Sequence, residues 1–138
     1  MYSGDNADTS RTYHGIAEVY VATGAYQYAL NNFREALKQA CKEDTIVLLD
    51  KMGMVLFKMG HIDGAKDCYN SALLLCENKY IDRRILLFNN LGNINMCTGN
   101  LHDALLCYTH AISSITTNQL IKEETKHILL NMGKFIYI

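Results

Sequence analysis

The sequence contains no proline and no tryptophan among its 138 residues. Because proline is the strongest common helix breaker, its absence favours a chain that is helical almost throughout. No apolar stretch approaches the roughly 20 residues that a membrane-spanning helix needs. The polar start, MYSGDNAD, also lacks the basic-then-apolar pattern of a secretory signal. We therefore expect no membrane partner.

Charge of one sign is also scarce, since the formal net charge is only −1. A chain with so weak a field has no broad electrostatic attraction to nucleic acid, and we expect none as a partner. The cysteines are odd in number, form no CxxC pair and lie mostly in apolar helical patterns: Cys41, Cys68, Cys76, Cys97 and Cys107. Such thiols are typical of a reducing compartment, so we expect a cytoplasmic protein.

The chain does contain an internal repeat. Three segments superimpose: GAYQYALNNFREAL from Gly24, GHIDGAKDCYNSAL from Gly60 and GNLHDALLCYTHAI from Gly99. Each has an alanine, then an aromatic residue and then a second alanine at the same distances from its glycine. These places are Ala29, Phe33 and Ala36; Ala65, Tyr69 and Ala72; and Ala104, Tyr108 and Ala111. A repeat of this length predicts stacked supersecondary units.

The segment ahead of each glycine repeats too, at the three- and four-residue spacing of one helix face. Its copies are Tyr13, Ile16, Ala17, Tyr20; Leu49, Met52, Gly53, Leu56; Phe88, Leu91, Gly92, Asn95; and Leu129, Met132, Gly133, Ile136. Each unit is then two antiparallel helices that reverse at a glycine. The predicted helices span about 9–22, 26–41, 45–58, 62–78, 81–97, 101–116 and 119–137.

These residues resemble the tetratricopeptide repeat family, and Phe88 to Ile112 is a close copy of its pattern. The resemblance implies an all-α fold, a right-handed superhelical stack of antiparallel helix pairs. A polar, disordered tail at 1–9 would precede a domain at 10–138, with repeats at about 10–43, 46–80 and 85–118 and a further helix at 119–138. The usual tryptophan and proline are missing, and the repeats are 36 and 39 residues apart instead of about 34. Longer units look similar to those of kinesin light chains and spindle-orientation scaffolds.

The resemblance also implies a function, which is to bind another protein as an adaptor or scaffold. In the family the first helix of each pair lines a concave groove that holds an extended peptide or an amphipathic helix. The matching positions here are Lys51, Met54, Phe57, Lys58, Asn89, Asn90, Asn93, Asn131 and Lys134. Carboxamides both donate and accept, so the ladder Asn90, Asn93 and Asn131 suits a peptide backbone. A solvated surface explains the same asparagines equally well.

One activity of the family is disfavoured. Members that clamp the C-terminal carboxylate of chaperones use lysine, arginine and asparagine at places that here hold His14, Glu18, Lys51, Leu86 and Asn90. A glutamate at such a place would repel a carboxylate.

Catalytic and metal-binding patterns are sparse, and we expect no enzyme activity, no cofactor and no metal. Cys107 and His110 lie three residues apart on a predicted helix that also carries His102. That spacing suits a zinc ligand pair, but two further ligands are needed. A packed cysteine beside a surface histidine is the better interpretation.

Two alternatives to peptide binding remain open. The chain ends in the apolar segment KFIYI, so self-association through the C-terminal helix would bury an otherwise open edge. In the second alternative, the stack is the regulatory part of a larger multidomain protein.

Overall fold

The computed structural model describes residues 3–118, 128 and 130–132, and every regular element among them is an α-helix. The helices are α1 (Ser3–Ala22), α2 (Tyr26–Leu37), α3 (Lys42–Lys58), α4 (Ile62–Cys76), α5 (Ile81–Cys97) and α6 (Leu101–Asn118). Residues 128 and 130–132 are helical as well and fall within the predicted seventh helix, the rest of which lies outside the described residues. The chain divides into two compact units, Met1–Leu75 and Cys76–Ile138.

The three predicted reversals are confirmed at their glycines. Gly24, Gly60 and Gly99 have φ angles of 79°, 86° and 80°, a region that only glycine enters without strain. After Gly24, the Ala25 amide donates to the Tyr20 carbonyl at 2.9 Å, and the Gly24 amide donates to the Val21 carbonyl at 3.1 Å. This pair of bonds is the Schellman motif, which satisfies the last carbonyls of a helix. The same pair of bonds recurs after α3 and α5, so each hairpin turns in the same way.

The repeated alanines and aromatic residues form the buried seam of each hairpin. All six alanines of the repeat are fully buried, and so are Phe33, Tyr69 and Tyr108 to within 1%. Small side chains at these places let two helix axes approach closely, while the aromatic rings fill the space that remains. The spacing in the sequence therefore predicted the packing correctly.

In the first unit α1 packs along α2, and α2 packs on α3. Its core consists of Ala17, Ala29, Leu30, Phe33, Ala36, Leu48, Met52 and Val55. α4 is held against α3 by Tyr69, whose ring lies over Gly53. α1 and α3 are the first helices of two successive hairpins, and together they line the candidate site.

Helix α1 begins earlier than the sequence predicts. Residues 3–9, assigned above to a disordered tail, belong to α1. Ser10 is buried, and its hydroxyl donates to the Ala36 carbonyl at the end of α2 at 2.9 Å. That bond anchors the first turns of α1 to α2, so the polar composition of the segment does not mean an absence of structure.

In the second unit α5 packs along α6. Ile85 of α5 meets Ala111 and Ile115 of α6 in a small core that also includes Ile128, which is fully buried. Ile128 thus anchors the following helical segment to this hairpin, and it brings Asn131 next to α5.

Candidate functional site

A pocket in the first unit collects three of the predicted groove residues. Lys51, Met54 and Lys58 of α3 line it together with three further side chains, Val55 of α3 and Glu18 and Val21 of α1. This first-unit pocket encloses about 340 Å³ of empty volume, part of which is open solvent. Its wall is apolar at Val21, Met54 and Val55, and its charged groups lie on both helices. It can therefore receive an apolar side chain of a ligand that has a charged group nearby.

Glu18 modifies the charge of this pocket. Its Oε1 atom lies 3.4 Å from the Lys51 Nζ and 3.7 Å from the Nε2 of His14, an attraction that requires a protonated imidazole. Because Glu18 is about half exposed, each pair contributes only about 0–1 kcal/mol to stability. Glu18 also affects which ligand the pocket attracts. The charge of Lys51 is already balanced by Glu18, so Lys58 is the pocket lysine that remains to attract an acid. Phe57, also predicted for the groove, is half-buried on the same helix.

In the second unit the structure joins three asparagines into a carboxamide cluster: Asn89 and Asn93 of α5 and Asn131 of the following segment. The Asn131 Nδ2 donates to the Oδ1 of Asn89 at 3.1 Å and to the Oδ1 of Asn93 at 3.3 Å. Asn131 was predicted to act with Asn90 and Asn93, whereas the observed bonds connect it to Asn89 and Asn93. Asn90 is half-buried on α5. Lys134 lies outside the described residues.

Tyr108 of α6 extends the carboxamide cluster from behind. Its hydroxyl donates to the Oδ1 of Asn93, which therefore accepts from both Tyr108 and Asn131. Burial of the ring, followed by the nearby Cys107 and Cys97 thiols, raises the pKa of Tyr108 to about 12. The hydroxyl consequently stays protonated at neutral pH and acts as a donor toward Asn93.

The residues considered for metal binding lie in separate packing environments. Cys107 is buried, and its sulfur accepts from the Asn95 Nδ2 at 3.7 Å. The His110 ring stacks on Phe88 with 5.2 Å between centroids, and the Arg84 guanidinium lies 5.1 Å from the same Phe88 ring. His102 is exposed on the first turn of α6. Among the described residues, no three His, Cys, Asp or Glu side chains are grouped so that they could hold a metal ion.

Sequence reasoning missed Tyr108 as a site residue and treated it only as the packing aromatic of its repeat. The available signal was that a tyrosine, and not the phenylalanine of the first repeat, stands opposite a glycine, Gly92. A ring that passes over a glycine can place its hydroxyl on the far side of the partner helix. The apolar wall residue Val55 was likewise missed, because it belongs to the buried seam as well as to the pocket.

Within the described ranges, none of the helices combines the length and the apolar character that crossing a membrane requires.

Comparison with known proteins agrees with the observed fold. Residues 48–79, which cover most of α3 and all of α4, match the sequence model of the tetratricopeptide repeat. No curated protein matches the chain as a relative. The TPR domain of Arabidopsis OM64 superimposes with a TM-score of 0.69 at 13% identity, over 95% of this chain and 99% of that one.

Two further solved structures are similar in fold. The first TPR of Spaghetti (RPAP3), bound to the HSP90 peptide SRMEEVD, gives a TM-score of 0.68 at 13% identity over 96% of each chain. MamA gives a TM-score of 0.68 at 15% identity over 80% of this chain, which spans only 61% of the length of MamA.

The fold is therefore an array of helical hairpins that repeat one packing scheme. Residues 48–79 match the tetratricopeptide repeat, and the fold of the chain is that of solved tetratricopeptide repeat domains. The predicted resemblance to this family is therefore confirmed by the matched repeat and by the fold, while its placement among the longer-unit members remains a prediction.

Proposed function

We propose that the chain is a protein-interaction module that binds an extended peptide or an amphipathic helix of a partner, as an adaptor or scaffold. The first-unit pocket carries the proposal, because it combines an apolar wall with one acid on α1, Glu18, and two lysines on α3, Lys51 and Lys58. A protein of the same fold, the first TPR of Spaghetti, holds a peptide. That likeness supports the general class of function, whereas the kind of ligand depends on the side chains of this chain.

The charges of the pocket favour an apolar residue with one neighbouring acid. Val21, Met54 and Val55 form an apolar surface that can adapt to different side chains, since methionine is flexible and polarizable. Glu18 neutralises Lys51 at 3.4 Å and would repel a second carboxylate nearby. A ligand with several adjacent acids is therefore disfavoured, in agreement with the argument against chaperone C-termini.

The test begins with peptides selected from a phage-displayed random library on the full chain, whose dissociation constants are then measured by calorimetry. We expect Met54→Ala and Lys58→Glu each to weaken a selected peptide at least tenfold, about 1.4 kcal/mol. The matched controls lie on α4: Leu74→Ala, at an exposed apolar side chain, and Lys66→Glu should leave the affinity unchanged. If the α4 variants weaken binding and the α3 variants do not, the pocket is not the site.

A second test uses Glu18→Gln, a variant that should gain affinity for peptides with two acids. Removing this charge releases Lys51, so peptides with two acids should bind more tightly than they do to the wild type, by about two- to fivefold. An unchanged preference between one-acid and two-acid peptides would show that the Glu18–Lys51 pair does not face the ligand.

A further inference from the structure

Tyr108 reaches the candidate site across the backbone of the partner helix. Its ring lies directly over Gly92, where a Cβ atom would be 2.7 Å from the Tyr108 Cε1. The missing side chain opens a gap in α5, and the ring fills it. The hydroxyl then bonds to Asn93, the residue that follows the glycine. A side chain of the second helix thus acts on a polar residue of the first.

The hydrogen bonds determine which atoms of the carboxamide cluster remain for a ligand. The Oδ1 of Asn93 accepts two bonds, from Tyr108 and Asn131, which occupy both of its lone pairs. The Nδ2 of Asn131 donates both of its hydrogens, to Asn89 and Asn93. Across the described part of the chain, no group accepts from the Nδ2 atoms of Asn89 and Asn93. The cluster therefore offers four amide hydrogens at two positions along one face of α5.

We propose that Tyr108 is a positioning residue, which together with Asn131 orients Asn89 and Asn93 so that they donate to carbonyl oxygens of a bound peptide backbone. This inference rests on the proposed function and assigns a polarity to it. A carboxamide that rotates freely can donate or accept, whereas the Asn93 oxygen already accepts two hydrogen bonds and the Asn89 oxygen accepts one, which holds both amide nitrogens away from Asn131. Neutral amide donors match neutral peptide carbonyls, so recognition at this cluster does not depend on acidic side chains.

The equivalent tyrosine of the preceding repeat provides an internal comparison. The Tyr69 ring lies over Gly53 in the same way, with 2.8 Å from a Cβ atom at Gly53 to its Cε2. Burial raises the pKa of Tyr69, and the negative charge of Asp50 on α3 adds to this rise. Tyr69 therefore lies within the electrostatic influence of an acidic residue in the first unit, and Tyr69→Phe removes a buried hydroxyl without touching the carboxamide cluster.

The positioning is tested on the free protein by NMR of the asparagine side-chain amides. Asn93→Asp keeps the oxygen that accepts from Tyr108 and removes the Nδ2 signals, which assigns them. Tyr108→Phe should then shift the Asn93 signals and broaden them as the carboxamide begins to rotate, while Tyr69→Phe should leave them unmoved. Wild-type signals for Asn93 in Tyr108→Phe would overturn the positioning role, whether or not any peptide binds.

The polarity is tested with a library-selected peptide as the probe. Asn93→Asp should weaken it at least tenfold and Tyr108→Phe about three- to tenfold. Asn70→Asp, at an exposed position of α4, is the charge-matched control. Asn93→Ala, which adds no charge, should weaken a version of the peptide whose acids are replaced by amides as much as it weakens the original peptide. If that effect vanishes with the acids, the cluster binds carboxylates and the backbone assignment is wrong. A library that yields no binder would contradict the proposed function, while the NMR result still decides the positioning role.

Discussion

Gly92 and Tyr108 are in such close contact that a Cβ atom on Gly92 would lie 2.7 Å from the Tyr108 ring. The ring is 1% exposed and is held at its far end by the bond to Asn93, so it has little freedom to move aside. The repeat thus requires glycine here because of a neighbouring side chain and not because of its backbone angles.

Gly92→Ala should therefore destabilise the protein. We expect a net loss of about 1–2 kcal/mol, in which overpacking of about 1–3 kcal/mol outweighs a helix-propensity gain of about 0.5–1 kcal/mol. The measurement is urea unfolding followed by circular dichroism. Gly15 is the matched control, because it lies within α1 and nothing approaches within 4 Å of a Cβ atom placed on it. Gly15→Ala should stabilise by about 0.5–1 kcal/mol, and equal effects at the two glycines would contradict the packing argument.

Alkaline pH should weaken the fold through the same tyrosine. Burial raises the pKa of Tyr108 from its ordinary value of 10 to about 12 in the folded protein. The stability that its neutral phenol contributes is therefore complete below pH 10 and is lost as the pH rises through about 12. We expect the urea midpoint to fall over this range, and to fall less in Tyr108→Phe. Tyr69 acts in the same direction, so the double variant Tyr69→Phe with Tyr108→Phe should show the smallest fall.

Tyr28→Phe is the control for this titration, since its ring is 62% exposed and stacks on Tyr20. Removing its hydroxyl should leave the alkaline fall of the wild type unchanged. A fall that is equally steep in Tyr108→Phe and in the wild type would show that other groups, such as lysines, cause the alkaline loss.

The sequence predicted the helices and reversals well because both follow from local chemistry. The three glycines, the six alanines and the three- and four-residue spacing are visible without coordinates, and the structure places the glycines at positive φ and buries the alanines. The site was harder to predict, because it depends on helix rotation. Asn89 and Asn90 are adjacent and differ by about 100° around α5, and the repeat alone does not select which one faces Asn131. The bond between Tyr108 and Asn93 depends on the position of a ring across two helices, which no spacing along one helix reveals.

The start of α1 provides another prediction, at Ser10. This serine is 2% exposed, and it stands where the next two repeats have Ile46 and Ile85. Its hydroxyl donates to the Ala36 carbonyl, so Ser10→Ala should cost about 1 kcal/mol in urea unfolding. Ser71→Ala, at an exposed position of α4, controls for the loss of a serine from a helix. A larger loss at Ser71 than at Ser10 would show that residues 3–10 are not anchored by this bond.

Thiol labelling tests the burial of the five cysteines in a single experiment. Cys41 and Cys97 are exposed, Cys68 is half-buried, and Cys76 and Cys107 are buried. Because the thiolate is the reactive form, Cys68 should also react slowly: burial raises the pKa of its thiol, and the negative charge of Asp67 adds to this rise. We expect a disulfide reagent at neutral pH to modify Cys41 and Cys97 first, Cys68 next and the buried pair only as the fold opens.

Peptide mass spectrometry at successive times assigns each modified cysteine, and a sample in urea should show all five modified rapidly. Asn95→Ala refines the test, because the Asn95 Nδ2 donates to the Cys107 sulfur and fills the space beside it. In that variant Cys107 should react faster while Cys76 keeps its wild-type rate. Early modification of Cys107 in the wild type would instead mean that α5 and α6 separate readily, and the ring of Tyr108 would then be too mobile to orient Asn93.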